Sequence, residues 1–119
     1  MGIIIPKNFK KKGINLADWN INRMAWKKKE ALEVINYFFN CNAEIGIIGG
    51  DVYRLSNNQI IPLYDNWTCD DKKNESNKNY NIRSLFEAKN YIENYQVNDE
   101  DNTLFSFVFS DYVVFEDEE

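Results

Sequence analysis

From Gly46 to Cys69 the chain reads GIIGGDVYRL, a three-residue polar break, then QIIPLYDNWTC. Ile45, Ile47, Ile48, Val52 and Tyr53 are β-branched or aromatic, types that suit a pleated, half-buried surface. Gly49 and Gly50 interrupt them. Adjacent glycines inside a strand pattern mark a bulge or bend where the backbone needs positive φ or must approach a neighbour closely. Ser56, Asn57 and Asn58 supply turn chemistry, so Gln59–Tyr64 reads as the return strand of a hairpin. Pro62 has no amide hydrogen to give to a ladder, which places this strand at an edge or bulges it there. A bent hairpin within Glu44–Cys69 is therefore what the rest of the chain must pack around.

The flanking segments supply helices and further strands. Ala31, Leu32, Val34, Ile35, Phe38 and Phe39 recur at three- and four-residue spacing, which predicts a helix over Lys27–Asn40 with Phe38 and Phe39 in the core. Its start lacks a good N-cap, and three lysines there oppose the helix dipole. Asp70–Tyr80 is a polar run full of turn formers, expected as an exposed loop. Ser84 followed by Glu87 is a capping-box signature, and Leu85, Ala88, Ile92 and Tyr95 continue at helical spacing. This predicts a second helix over Leu85–Tyr95. In Thr103–Ser110, Phe105, Phe107 and Phe109 alternate with Leu104 and Val108, so the strand is expected to be central and covered on both faces. Val113–Phe115 adds a short edge strand before the acidic tail at residues 116–119, which should fray.

These elements describe one domain over residues 1–119. The expected class is α+β: a mainly antiparallel sheet built on the bent hairpin and C-terminal strands, with two helices mostly on one face. Residues 13–25 have no clean period and are expected to hold a short helix or strand, within an irregular N-terminal entry over residues 1–24. The alternative architecture is a more open mixed sheet that takes the N-terminal segment as an additional strand.

Composition narrows function chiefly by what it lacks. There is no histidine, which removes Ser-His and Cys-His schemes, imidazole acid–base chemistry and the commonest metal ligand. Two scattered cysteines, Cys41 and Cys69, cannot close a zinc site. No secretory core or long apolar span is evident, so the expectation is a cytoplasmic protein with two reduced thiols and no membrane contact. Charge is polarised along the chain: residues 1–30 carry eight basic side chains against two acidic, and residues 96–119 carry eight acidic and none basic. The acidic end would repel phosphates, so nucleic acid is not an expected partner. A basic protein is the partner that this end would suit, although solvated charge keeping the chain soluble explains the same pattern.

Gly49–Asp51 is superficially similar to the glycine-glycine-acid turn of nucleotide cyclases, but a second acidic residue and a phosphate-binding lysine loop are missing. Asp51 is expected instead to tie the bent backbone near the glycines. Asp51, Asp65, Asp70 and Asp71 have no calcium-loop spacing, so neither a metal nor another cofactor is expected.

The runs IIGGDVYRL, IIPLYDNWTCD, IRSLFEAKNYIENY and LFSFVF, in that order, resemble the bacterial immunity protein family numbered forty, of the polymorphic toxin systems. The resemblance covers roughly residues 25–110. Its most specific parts are Gly49, Gly50, Asp51, Val52 and Tyr53, then Tyr64, Asp65, Asn66 and Trp67, then Ser84 opening the second helix. It implies a small cytosolic α+β protein that binds a contact-delivered or secreted toxin domain, without catalysis. It implies no particular binding surface. Aromatic anchors beside carboxylates suit a basic nuclease among other toxins, and Asp51, Tyr53, Tyr64, Asp65, Trp67, Asp70 and Asp71 supply that mixture. Trp67 reads equally as a core residue covering the hairpin. Two other classes stay open: a small nucleotide- or metal-binding enzyme using Asp51 with Asp65, and an adaptor for some other protein.

Overall fold

The computed structural model describes residues 3–96, 102–111 and 113–115. Its main sheet has six strands: β2 (Ile14–Asn15), β3 (Met24–Trp26), β4 (Ile47–Ser56), β5 (Gln59–Pro62), β6 (Trp67–Thr68) and β7 (Thr103–Phe109). The order is β2-β3-β7-β4-β5, with β6 also on β4, and every pairing is antiparallel. Two further strands, β1 (Ile3–Ile5) and β8 (Val113–Phe115), pair with each other in parallel. Helices α1 (Lys7–Lys12), α2 (Lys28–Asn40) and α3 (Asn77–Asn94) complete an α+β fold.

The hairpin forms where the glycines and asparagines direct it. Asn57 and Asn58 both take positive φ, the condition for a tight two-residue turn, and β5 lies at the sheet edge with Pro62 opposite Tyr53. The bulge falls between Ile47 and Gly49. Neither glycine has positive φ; close approach is what excludes a side chain. A Cβ on Gly49 would lie 2.2 Å from the Trp67 carbonyl oxygen, and one on Gly50 would lie 2.2 Å from that of Ser106.

Strand β7 is central, between β3 and β4, and both its faces are covered as its alternation requires. Phe105 and Phe107 face α2 and α3 and join Trp26, Val34, Ile35, Phe38, Val52, Leu85, Ala88 and Ile92 in the main core. On the opposite face Leu104 packs with Leu16, Ala25 and Tyr53. Phe38 is fully buried, whereas Phe39 is half-buried against Phe86 on α3.

Four expectations need correction. The short helix or strand expected in the entry is present as β2 and a 3-10 turn over Leu16–Trp19, which lids the second face, but β1 and α1 precede them and make the entry more regular than expected; two- and three-residue strands are too short to show a period. Strand β8 pairs with β1 rather than extending the main sheet. Helix α3 begins at Asn77, capped by Ser76, whose Oγ accepts from the Asn79 amide at 3.1 Å. The last four residues of the expected loop are therefore helix, and Ser84 lies inside α3 rather than opening it. The Ser84 hydroxyl is fully buried, donates to the Asn81 carbonyl and accepts from the Ile47 amide at 2.9 Å. The expected frayed tail at 116–119 lies outside the described residues.

Candidate functional site

The chain returns along the outer edge of β4 in pieces. Strand β5 pairs with Tyr53–Ser56, the Leu63 amide reaches the Val52 carbonyl at 3.0 Å, β6 pairs with Gly49 and Gly50, and the Cys69 amide reaches the Ile48 carbonyl at 2.6 Å. Between Leu63 and Trp67 it steps out of the ladder. Tyr64 takes φ of 60° and its side chain is 85% exposed. Asp65 is tied to α3 twice: the Tyr95 hydroxyl donates to its carboxylate at 2.6 Å, and the Tyr91 hydroxyl donates to its carbonyl. Partial burial pushes both phenols up, Tyr95 to about 12, with the Asp65 carboxylate adding to the shift.

Trp67 turns inward from this excursion. Its ring stacks on Tyr91 with centroids 4.6 Å apart and meets Phe107 edge-on at 6.2 Å. It lies over Gly50, where an added Cβ would come within 2.3 Å of Cη2. The indole Nε1 is buried and meets no acceptor among the described residues. Trp67 is thus mainly packing, half-buried under the edge that it covers.

Beyond β6 the segment 69–76 is fastened to α3 by Arg83. Its guanidinium donates to both Glu75 carboxylate oxygens, at 2.8 and 2.7 Å, to Glu87 at 2.7 Å, and to the Asp70 carbonyl at 2.7 Å. A fork of this kind matches a carboxylate in two bonds at once. The bond from Arg83 holds the Glu75 carboxyl down to about 2. Burial pushes the Cys69 thiol up and Tyr80 to about 12; the Tyr80 hydroxyl donates to the Cys69 carbonyl at 2.5 Å. Cys41 and Cys69 both carry free thiols.

Where this segment meets the start of β4 and the end of β7 there is a hollow of about 470 Å³. Glu44, Asp70, Asp71, Glu75 and Asp111 line it together with Ile48 and Tyr80, and no lysine or arginine is among its described lining residues. Asp70 and Asp71 have exposed side chains. No group of three or more acidic or cysteine side chains among the described residues is arranged to hold a metal ion.

Asp51 and Tyr53 belong elsewhere. Both point to the sheet face away from the helices, where Asp51 pairs with Arg23. Asp51 therefore ties β4 to the segment before β3 rather than the backbone beside the glycines. Tyr53 is 7% exposed within the second core, which withdraws its ring from any contact surface. Asp65 is bonded on the helix side, so Asp51 and Asp65 are not brought together. Tyr64, Asp65, Asp70 and Asp71 do share one connected segment, with Trp67 beneath it.

Residue patterns alone left out Arg83, Glu75, Tyr91 and Tyr95. The four-residue spacings Arg83–Glu87 and Tyr91–Tyr95 were signals of shared helix faces. The partners of those faces, Glu75 and Asp65, lie 8 and 30 residues away from Arg83 and Tyr95 and carry no local signal.

No described helix is long and apolar enough to cross a membrane. No curated protein and no solved structure matches the chain. A family model does: that of immunity protein 40 matches residues 15–109, from β2 through the whole of β7. This span takes in the hairpin, the excursion at Tyr64, the Arg83 clamp, the second core and all of the main core's buried residues but Ile5 and Phe9, and the chain belongs to the immunity protein 40 family.

Proposed function

We propose that this protein neutralises a toxin of a polymorphic toxin system by binding the toxin domain directly in the cytoplasm, without catalysing a reaction. The match to the immunity protein 40 family over residues 15–109 carries the reading. The contact face assigned to the partner is the segment from Tyr64 to Asp71 with the hollow beyond it. Tyr64 and Asp65 supply an aromatic and a charged contact, and Asp70 and Asp71 supply part of the acidic lining. The exposed carboxylates of Asp70 and Asp71 favour a partner that is basic at its contact surface, such as a nuclease cleft, and speed its approach.

Separation of Asp51 from Asp65 speaks against the enzyme reading that paired them, and nothing in the chain favours an adaptor for an unrelated protein. The test is co-expression with the toxin domain encoded beside this chain, followed by titration of the purified pair. The expected result is restored growth and a complex stable at micromolar concentration; a pair that never associates at that concentration overturns the reading. Association that slows steeply between low and physiological salt is the expected signature of acidic steering, and indifference to salt removes it.

A further inference from the structure

Seven non-glycine residues described in this chain have positive φ: Asn20, Asn42, Ala43, Asn57, Asn58, Tyr64 and Asn74. Five are asparagine, the residue besides glycine that tolerates the left-handed region best, because its short amide bonds locally. Ala43 is 3% exposed, and its amide bonds the Phe38 carbonyl at the end of α2, so the core holds it in place. Tyr64 has neither reason. It is a bulky residue in a region where bulky residues are strained, and the side chain responsible for the strain is 85% exposed. Where this chain needs only a left-handed turn it uses asparagine; at position 64 it places an aromatic instead.

The strained backbone is held by its neighbour. Asp65 is bonded through its carboxylate to Tyr95 and through its carbonyl to Tyr91; Tyr91 lies in the last turn of α3 and Tyr95 is its C-cap. Those rings are themselves seated, Tyr91 on Trp67 and Tyr95 edge-on to Phe105 at 5.5 Å. The excursion is thus fixed from the core outward before any partner arrives. A large, rigid, amphipathic side chain presented on a pre-ordered loop loses little freedom on binding, which is the condition under which tyrosine makes an interface hot spot.

We infer that Tyr64 is the principal anchor for the toxin domain, entering an apolar pocket on it whose floor hydrogen-bonds the phenol, and that Asp65, Tyr91 and Tyr95 are the positioning residues that present it. This rests on the reading of the protein as a toxin-binding immunity protein. It adds a consequence that the reading alone lacks: binding and folding make opposite demands at position 64. Asparagine would suit the fold at least as well, and only the partner needs the ring.

The experiment uses the full chain and the toxin domain encoded beside it. Kd is measured by titration calorimetry for the parent protein, Tyr64→Asn and Tyr64→Ala, alongside thermal melts of each free variant. The expected result is a loss of about 30-fold or more in affinity for both variants, with Tyr64→Asn melting no lower than the parent. Variants that bind within about 3-fold of a parent that does bind overturn the anchor and leave the toxin-binding reading standing. A Tyr64→Asn protein that melts well below the parent shows the ring to be structural and also overturns it. A parent that does not bind at all removes the underlying reading, and the anchor with it.

Discussion

Arg83 and Glu75 form a two-pronged ion pair, Nε to Oε2 at 2.8 Å and Nη2 to Oε1 at 2.7 Å, across which the segment after β6 is fastened to α3. Because Arg83 stabilises the ionised carboxyl, Glu75 is held down to about 2 from an ordinary 4.5. The fold therefore favours the deprotonated form. Its contribution is full above pH 4.5 and fades as pH falls towards about 2. Glu75→Gln should lower the urea midpoint at pH 7 and flatten its acid limb across that window. Equal acid slopes in parent and variant would show that the pair does not govern this limb.

Gly50 lies under Trp67 and beside the Ser106 carbonyl, with no room for a methyl group at 2.3 and 2.2 Å. One of these neighbours is backbone in the central strand and cannot turn aside. Gly50→Ala should cost about 1–3 kcal/mol in denaturant unfolding, and the quenching environment of Trp67 should change with it. An unchanged midpoint would mean that β4 and β7 separate easily at this point.

Ser84 joins α3 to β4 through the Ile47 amide. Ser84→Ala leaves that buried donor unpaired and should cost about 1–3 kcal/mol, whereas Ser76→Ala removes a helix cap and should cost about 1. Amide exchange separates the two effects. Loss at Ser84 should raise exchange at Ile47, and loss at Ser76 should raise it only in the first turn of α3.

Tyr95→Phe keeps the ring against Phe105 and removes the hydroxyl that holds the Asp65 carboxylate. Stability should fall by about 0.5–1.5 kcal/mol. Affinity for the toxin domain should weaken about 3- to 10-fold, the cost of ordering a loop that is otherwise pre-set. Unchanged affinity would show that the pin does not position Tyr64.

The two thiols should react in sequence. Cys69 is 2% exposed and its thiol is pushed up by burial, whereas Cys41 is half-buried. A chromogenic disulfide reagent at pH 8 should label one thiol in the native protein and the second only on unfolding, because the thiolate is the nucleophile. Two equal fast phases would place Cys69 within reach of solvent.

Legibility in the sequence followed the range of the interactions. The hairpin was readable because Asn57, Asn58 and Pro62 impose backbone conditions within one or two residues of themselves, and because paired glycines mark a close approach even when its partners, Trp67 and Ser106, are distant. Helix α2 and the alternation in β7 were readable because their apolar side chains repeat over 13 and 7 residues. The first turns of α3 were not, since asparagine-rich NKNYN has weak helix propensity. Those turns are held by distant partners: Tyr80 by the Cys69 carbonyl, Asn81 by that of Ala43, and Arg83 by Glu75. Ser84 misled for the same reason, because a buried serine tying a helix to a strand and a serine capping a helix have the same local spelling.

By itself the sequence determined the α+β class, the bent hairpin, the central phenylalanine strand and the family, all of which depend on periodicity, turn chemistry or the order of short motifs. Tertiary structure alone decided which side chains are offered outward. Tyr53 and Tyr64 are equivalent as aromatics beside aspartates, yet one closes the second core and the other stands in solvent. The difference is a step out of the β4 ladder at Tyr64, held by two hydroxyls at the C-terminal end of α3 that lie 26 and 30 residues from Asp65. Strand alternation cannot foretell such a step, because the bonds that stabilise it form only once the helix has packed on the sheet.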